Sequence, residues 1–272
     1  MIDLSGRGEG ALAALDFGPP GRPYDLIFLH ANGYNALAYR RILAPLAADF
    51  RILALDQRGH GASTLANVTE GRIDWSDFSD DLVALLDAED VKEAVLSGHS
   101  MGGATVLTAA ARAPGRAGRL VLFDPVIMSR ERPSPAVQTG AHSGLIEGAR
   151  RRRAEFSSRD AALKAYLGRG GFRSWPDDMV ADYVEGGFRD LPGGGVRLAC
   201  EPAWEASTFE AQANDPWSAF AAVACPVEIL KAERDSTCRT DADEAALVAS
   251  GRVRIDTIVG TSHFLPMERP EM

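Results

Sequence analysis

The feature that most restricts the fold is the pentapeptide Gly98-His99-Ser100-Met101-Gly102, set between an apolar run ending at Ser97 and the helix-forming run Ala104 to Ala113. Glycine on both sides of a serine is what a sharp strand-to-helix turn requires, because a side chain at either place would meet the backbone of the turn. Such a turn lifts the serine hydroxyl above the sheet, at a helix N-terminus whose N–H groups favour developing negative charge. An incidental glycine-rich turn is the competing explanation, and the strand before and helix after argue against it.

The rest of the chain repeats that alternation. Apolar runs at Asp25 to Leu29, Arg51 to Leu55, Glu93 to Ser97, Arg119 to Phe123, Val227 to Lys231 and Val253 to Val259 read as buried strands. Between them, Ala36 to Ala48, Ser76 to Ala88, Gly102 to Ala113 and Asp241 to Ala249 have the length of crossover helices. This pattern predicts an α/β fold with a mostly parallel central sheet flanked by helices. Ala11 to Phe17, followed by the breaker run GPPGRP, is expected as an antiparallel edge strand.

The rhythm stops from Val126 to Ser218, where Arg, Gly, Pro and aromatic residues replace strand-like runs. Residues 126–218 therefore read as an inserted, mainly helical cap over a core made of 1–125 and 219–272. Ser158 to Leu167 and Asp177 to Glu185 are expected as short helices within it. The run Arg150 to Arg153 reads as a solvated helix face and not as an anion site. The aromatics, Tyr166, Phe172, Trp175 and Tyr183 among them, could line an apolar pocket if part of the set faces Ser100.

A serine hydroxyl is a poor nucleophile at neutral pH and needs a base, itself oriented by a third group. His263, in a small-residue loop past the last apolar run, is the expected base. His30, His60, His99 and His142 read as scaffolding. The acid should follow a strand and precede His263 in sequence. Asp235, just after the strand Val227 to Lys231, is favoured, and Asp124, at the end of RLVLFD, is the alternative acid; chain order alone does not separate them.

Composition removes other classes. With 29 Lys and Arg against 38 Asp and Glu, the net charge of -9 speaks against neutralising a phosphate backbone, so no nucleic-acid partner is expected. Cys200, Cys225 and Cys238 lack the paired spacing of a zinc or redox site and read as thiols of a reducing compartment. No metal and no organic cofactor are expected. The opening MIDLSGRGEG lacks the basic start and apolar stretch of a secretory leader, and no run approaches the roughly 18 apolar residues of a bilayer span, so a cytoplasmic protein with no membrane partner is expected.

With these residues in view, the chain resembles the α/β-hydrolase fold superfamily, in its cap-bearing serine hydrolase and esterase subgroup. The resemblance rests on FLHANG (28–33), LDQRGHGAS (55–63), SGHSMGG (97–103), and KAERD (231–235) with GTSHFLPMERP (260–270), in the family's order. It implies a catalytic triad of Ser100, His263 and an acid, with Asp235 at the family's usual acid position and Asp124 at one used by some relatives. It also implies an oxyanion hole made by the backbone N–H groups of Asn32 and Met101, with Ala31 where the family usually has glycine. An Asx turn is the alternative role for Asn32. Serine at the nucleophile position disfavours chemistry through an aspartyl ester, hence epoxide opening and halide displacement. Relatives generally continue past this last loop into a final helix, whereas these residues end at Met272.

The expected activity is hydrolysis of a small, apolar carboxylic ester through an acyl-enzyme, the partner being a small-molecule substrate. A lactonase, thioesterase, C–C bond hydrolase or cofactor-free perhydrolase would use the same residues, since fold does not fix substrate. From a different class, a non-catalytic small-ligand-binding protein on the same scaffold remains open; an inert Ser100 would mark it.

Overall fold

The computed structural model describes residues 1–4, 6–130 and 140–272, the side chains at 140–142 excepted. Part of the expected insertion, 131–139, and the side chain of His142 thus lie outside the described residues.

In chain order the first half runs β1 (Ile2–Asp3), β2 (Ala11–Phe17), β3 (Leu26–Leu29), α1 (Arg40–Leu43), β4 (Ile52–Asp56), α2 (Ser76–Ala88), β5 (Ala94–His99), α3 (Met101–Arg112) and β6 (Ala117–Phe123). Then come α4 (Gly140–Arg150), β7 (Glu155–Phe156), α5 (Arg159–Tyr166), α6 (Asp177–Gly187), β8 (Phe188–Asp190), β9 (Val196–Leu198) and α7 (Pro202–Glu210). The last stretch holds α8 (Pro216–Ala222), β10 (Val227–Ala232), α9 (Glu244–Ala249), β11 (Val253–Ile258) and α10 (Leu265–Glu268).

Eight strands form the main sheet in the order β1-β2-β4-β3-β5-β6-β10-β11, parallel from β4 onward and antiparallel at β1 and β2. Strands covered on both faces carry unbroken apolar runs, and all five residues of β4 are buried. β2 has the expected span and direction but is not the edge: Ile2 and Asp3 pair with Leu12 and Ala11 outside it. Two residues are too few to show a period, so β1 left no signal in the sequence.

α2 buries Phe78, Leu82, Leu85 and Leu86, the spacing of one helical face, and packs on α3. The helix expected over Ala36 to Ala48 is broken into a 3-10 turn (Ala36–Tyr39), α1 and a second 3-10 turn (Ala44–Ala48). Pro45, which has no N–H to donate along the helix, sits in the second turn.

The segment between β6 and β10 is not wholly helical. A second sheet, β7-β9-β8, joins its helices, all of its pairs antiparallel. Phe156, Phe172, Trp175, Tyr183 and Phe188 pack in one cluster with Phe28, Tyr39 and Leu43 of the main domain. The expected boundary at Ser218 falls inside α8, whose Ala219 and Phe220 belong to the core under the main sheet.

Candidate active site

The turn between β5 and α3 shows why its glycines are needed. A Cβ at Gly102 would lie 2.3 Å from the carbonyl oxygen of Leu29, and one at Gly98 2.5 Å from the carbonyl carbon of Gly102. Ser100 itself takes φ +57°, a strained value for a residue with a side chain. The turn is held by its surroundings: Ser100 N–H donates to the carbonyl of Phe123 (3.0 Å), and the Ser100 carbonyl accepts from Ala104 and Val126.

His263, in the loop between β11 and α10, lies with Nε2 3.0 Å from Ser100 Oγ and Nδ1 2.6 Å from Asp124 Oδ2. Asp124 is fully buried directly after β6. Its Oδ1 accepts from Ala232 N–H (2.9 Å) and Ser236 Oγ–H (2.6 Å), and its Oδ2 from Thr237 N–H (2.9 Å). Burial alone would push this carboxyl up, but the contact with His263 and the Ser236 and Ala232 donors outweigh it and hold the pKa below the usual aspartate value. An ionised carboxylate only accepts, so Nδ1 of His263 carries a proton and Nε2 turns its lone pair to the serine hydroxyl.

Asp235, the acid favoured from the sequence, is not at the imidazole. It is exposed, at φ +54°, and makes no hydrogen bond to His263 among the described residues. The cause is register. β6 and β10 are parallel neighbours with Phe123 opposite Leu230, and β10 continues two residues further, to Ala232. The chain then has to double back, and Ser236 and Thr237 are the residues that return to Asp124. The loop that carries Asp235 thus holds another acid in place. Asp124, the alternative, is the carboxylate brought to His263.

Asn32 follows β3 by three positions and Met101 opens α3; among the described residues neither backbone N–H donates a hydrogen bond within the chain. The side chain of Asn32 forms no Asx turn: Nδ2 donates to the carbonyl of Glu205 (3.1 Å), and Oδ1 is buried without a partner. Two buried histidines hold this loop. His60 Nε2 accepts from Gly33 N–H (3.1 Å), and His30 Nε2 from Gln57 N–H (3.0 Å) while its Nδ1 donates to the carbonyl of Ala31 (2.8 Å). Burial lowers both, His30 to about 4 and His60 well below the ordinary histidine value, so both are neutral near pH 7.

The Arg150 to Arg153 run departs from its expected role. Arg150, Arg151 and Arg153 are exposed, but Arg152 turns inward, past the end of α4, to Glu205 (2.5 Å) and the hydroxyl of Tyr183 (2.6 Å). Arg152 thereby ties parts of the 140–210 segment to one another, while Asn35 Nδ2 donating to the Tyr183 carbonyl (3.0 Å) and Trp204 Nε1–H donating to the Arg58 carbonyl (3.0 Å) fasten that segment to the loops after β3 and β4. Aromatic rings continue the contact: Tyr34, tilted, and Trp175, edge-on, both pack near Phe264, the neighbour of His263. Ser236, Thr237 and Tyr39 carry no role among the expectations from the sequence, and Arg152 belongs to the run expected on a solvated face; the Ser-Thr pair beside Asp235 is the one local signal, since such residues donate to carboxylates in turns.

Among the described residues no group of His, Cys, Asp and Glu could hold a metal ion, and no helix is long and apolar enough to cross a membrane.

Fold and site together define an α/β hydrolase: the model of the alpha/beta hydrolase family matches residues 26–272, and the chain belongs to that family. Among its relatives is the 2-(acetamidomethylene)succinate hydrolase of Mesorhizobium japonicum, 28% identical over 253 residues that cover 91% of this chain and 84% of the relative. A crystal structure of E-2-(acetamidomethylene)succinate hydrolase superposes with a TM-score of 0.78 at 26% identity, covering 97% of this chain and 92% of that one. A putative non-heme haloperoxidase of Mycobacterium phage D29 is 39% identical over 100 residues, 36% of this chain and 35% of its own length. The protein is an enzyme of the hydrolase class.

Proposed function

We propose that the protein hydrolyses a small carboxylic ester by acyl transfer, with Ser100 as nucleophile, His263 as base and acid, and Asp124 as the group that orients the imidazole and stabilises its charged form. His263 Nε2 takes the hydroxyl proton as Ser100 Oγ attacks the carbonyl. The backbone N–H groups of Asn32 and Met101 receive the oxyanion, and protonated His263 gives its proton to the leaving alcohol. Water, deprotonated by the same nitrogen, then releases the acid and restores the serine. The 140–210 segment acts as the cap, its aromatic cluster providing apolar surface beside Phe264. Three unpaired cysteines support a cytoplasmic setting.

The single observation that carries this reading is the continuous path from Ser100 Oγ through His263 to buried Asp124, at 3.0 and 2.6 Å. The test is turnover of p-nitrophenyl acetate by the wild type and by Ser100→Ala. Loss of kcat on the order of a million-fold is expected. Undiminished turnover in the variant would remove Ser100 from the chemistry. Rapid labelling by a fluorophosphonate separates this enzyme from a ligand-binding scaffold, in which the serine would be inert.

A second reading, amide in place of ester, is favoured by two observations. The relative that spans 91% of the chain is named for hydrolysing an acetamido compound. Asn32 Oδ1 is buried without a donor, and an amide N–H can supply one where an ester oxygen cannot. Faster turnover of p-nitroacetanilide than of p-nitrophenyl acetate would select it.

A further inference from the structure

Three pieces of the proposed machinery, the Asn32 loop, the serine turn and the His263 loop, come from distant parts of the chain and meet at one buried pair, Tyr39 and His99. Ala31 N–H lies 3.2 Å from Tyr39 Oη; Tyr39 Oη lies 2.7 Å from His99 Nδ1; His99 Nε2 lies 2.7 Å from the backbone carbonyl of His263. His99 and Tyr39 are both fully buried.

The proton positions follow without choice. A carbonyl only accepts, so His99 Nε2 carries a hydrogen and donates to His263. Burial keeps the His99 ring neutral, with its pKa lowered to about 3, so Nδ1 has only a lone pair and must accept. The single hydrogen of Tyr39 goes to it, which leaves the phenol oxygen to accept from Ala31. Every donor and acceptor of the chain is used once, in one direction. Among the described residues, the contact with His99 is the only hydrogen bond made by the main chain of His263.

We propose that Tyr39 and His99 are positioning residues: a one-directional hydrogen-bonded strut that sets the distance between the oxyanion-binding loop and the catalytic imidazole. The proposal rests on the acyl-transfer reading above. The strut makes no hydrogen bond to the reacting atoms; the His99 ring only packs beside the His263 imidazole, with centroids 4.9 Å apart. It acts on the main chain at both ends, so its loss shifts a catalytic group by fractions of an ångström without altering the substrate-binding surface. Misplacement of this kind costs rate more than affinity.

The experiment measures p-nitrophenyl acetate turnover in Tyr39→Phe, His99→Phe, the double variant and His99→Gln, with Ser100→Ala alongside. Each Phe variant is expected to lose about 10- to 100-fold in kcat with KM within about twofold. The double variant should lose no more than the worse single, because both break one chain. His99→Gln keeps a donor for the His263 carbonyl and should recover most of the rate. Wild-type kcat in both Phe variants, losses that multiply in the double, or no recovery with Gln would overturn the strut. Full activity in Ser100→Ala would instead overturn the acyl-transfer reading. Should the Phe variants fail to fold, nitrogen-15 NMR of the wild type decides: a neutral, Nε2-protonated His99 supports the strut, and an Nδ1-protonated or charged ring contradicts it.

Discussion

Asp124 and Asp235 are near twins by local measures. Each follows a strand of the parallel sheet, each sits at positive φ, and the strands are hydrogen-bonded neighbours. Their surroundings differ completely. Asp124 is buried, accepts hydrogen bonds from Ala232, Ser236 and Thr237, and reaches His263, whereas Asp235 faces solvent at the apex of the loop that supplies two of those donors. The role of a carboxylate at this sheet edge is therefore set by which loop folds over which, not by distance along the chain.

The largest effect expected from that contrast tests it head-on. Asp124→Asn places an amide where His263 Nδ1–H needs an acceptor and should lower kcat on the order of ten-thousand-fold; Asp235→Asn should stay within about twofold, both read by ester turnover. The same lesson extends to the arginine run, where Arg152 is inward and paired while Arg151 is exposed. Arg152→Ala leaves Glu205 without its cation and should lower unfolding stability by about 3 kcal/mol in denaturant titration. Arg151→Ala should change it by less than about 0.5 kcal/mol.

A smaller effect refines the account of the β10 loop. Ser236→Ala removes a donor to the charged carboxylate, which raises the Asp124 pKa and should cost roughly tenfold in kcat, with the acid limb of the rate profile moving to higher pH. Equal losses from Ser236→Ala and Asp235→Asn would erase the distinction between the two positions.

The buried histidines around the Asn32 loop and the serine turn predict a pH dependence of stability. His30 and His99 fall to about 4 and about 3 in the folded protein, and His60 is lowered too, each chiefly by burial. The unfolded chain therefore binds more protons below the ordinary histidine pKa of about 6.5. The stability these groups contribute is complete above that value and is lost as pH falls from there towards 4 and 3. Asp56, raised by burial to about 6, opposes this between its ordinary value and 6. Three groups against one should leave a falling thermal midpoint on acidification over this range; a flat or rising one would show that these rings are not buried neutral.

Much of this was legible in the sequence for physical reasons. Buried strands and amphipathic helices announce themselves by local periodicity, and Gly98 and Gly102 announce a turn that tolerates no side chain. Ser100 and His263 stood out because few alternatives had the right flanks. The acid did not, because the register of β10 against β6 and the return path through Ser236 and Thr237 are long-range properties that neither segment encodes alone. The inward turn of Arg152 and the Tyr39–His99 contact were hidden for the same reason: their partners lie 53 and 60 positions away.

The most direct test of the central claim is the downfield proton NMR signal of His263 Nδ1–H, whose nitrogen lies 2.6 Å from the Asp124 carboxylate oxygen. The account predicts that it is present in the wild type and in Asp235→Asn and absent from Asp124→Asn. A signal that survives in Asp124→Asn and disappears in Asp235→Asn would contradict it.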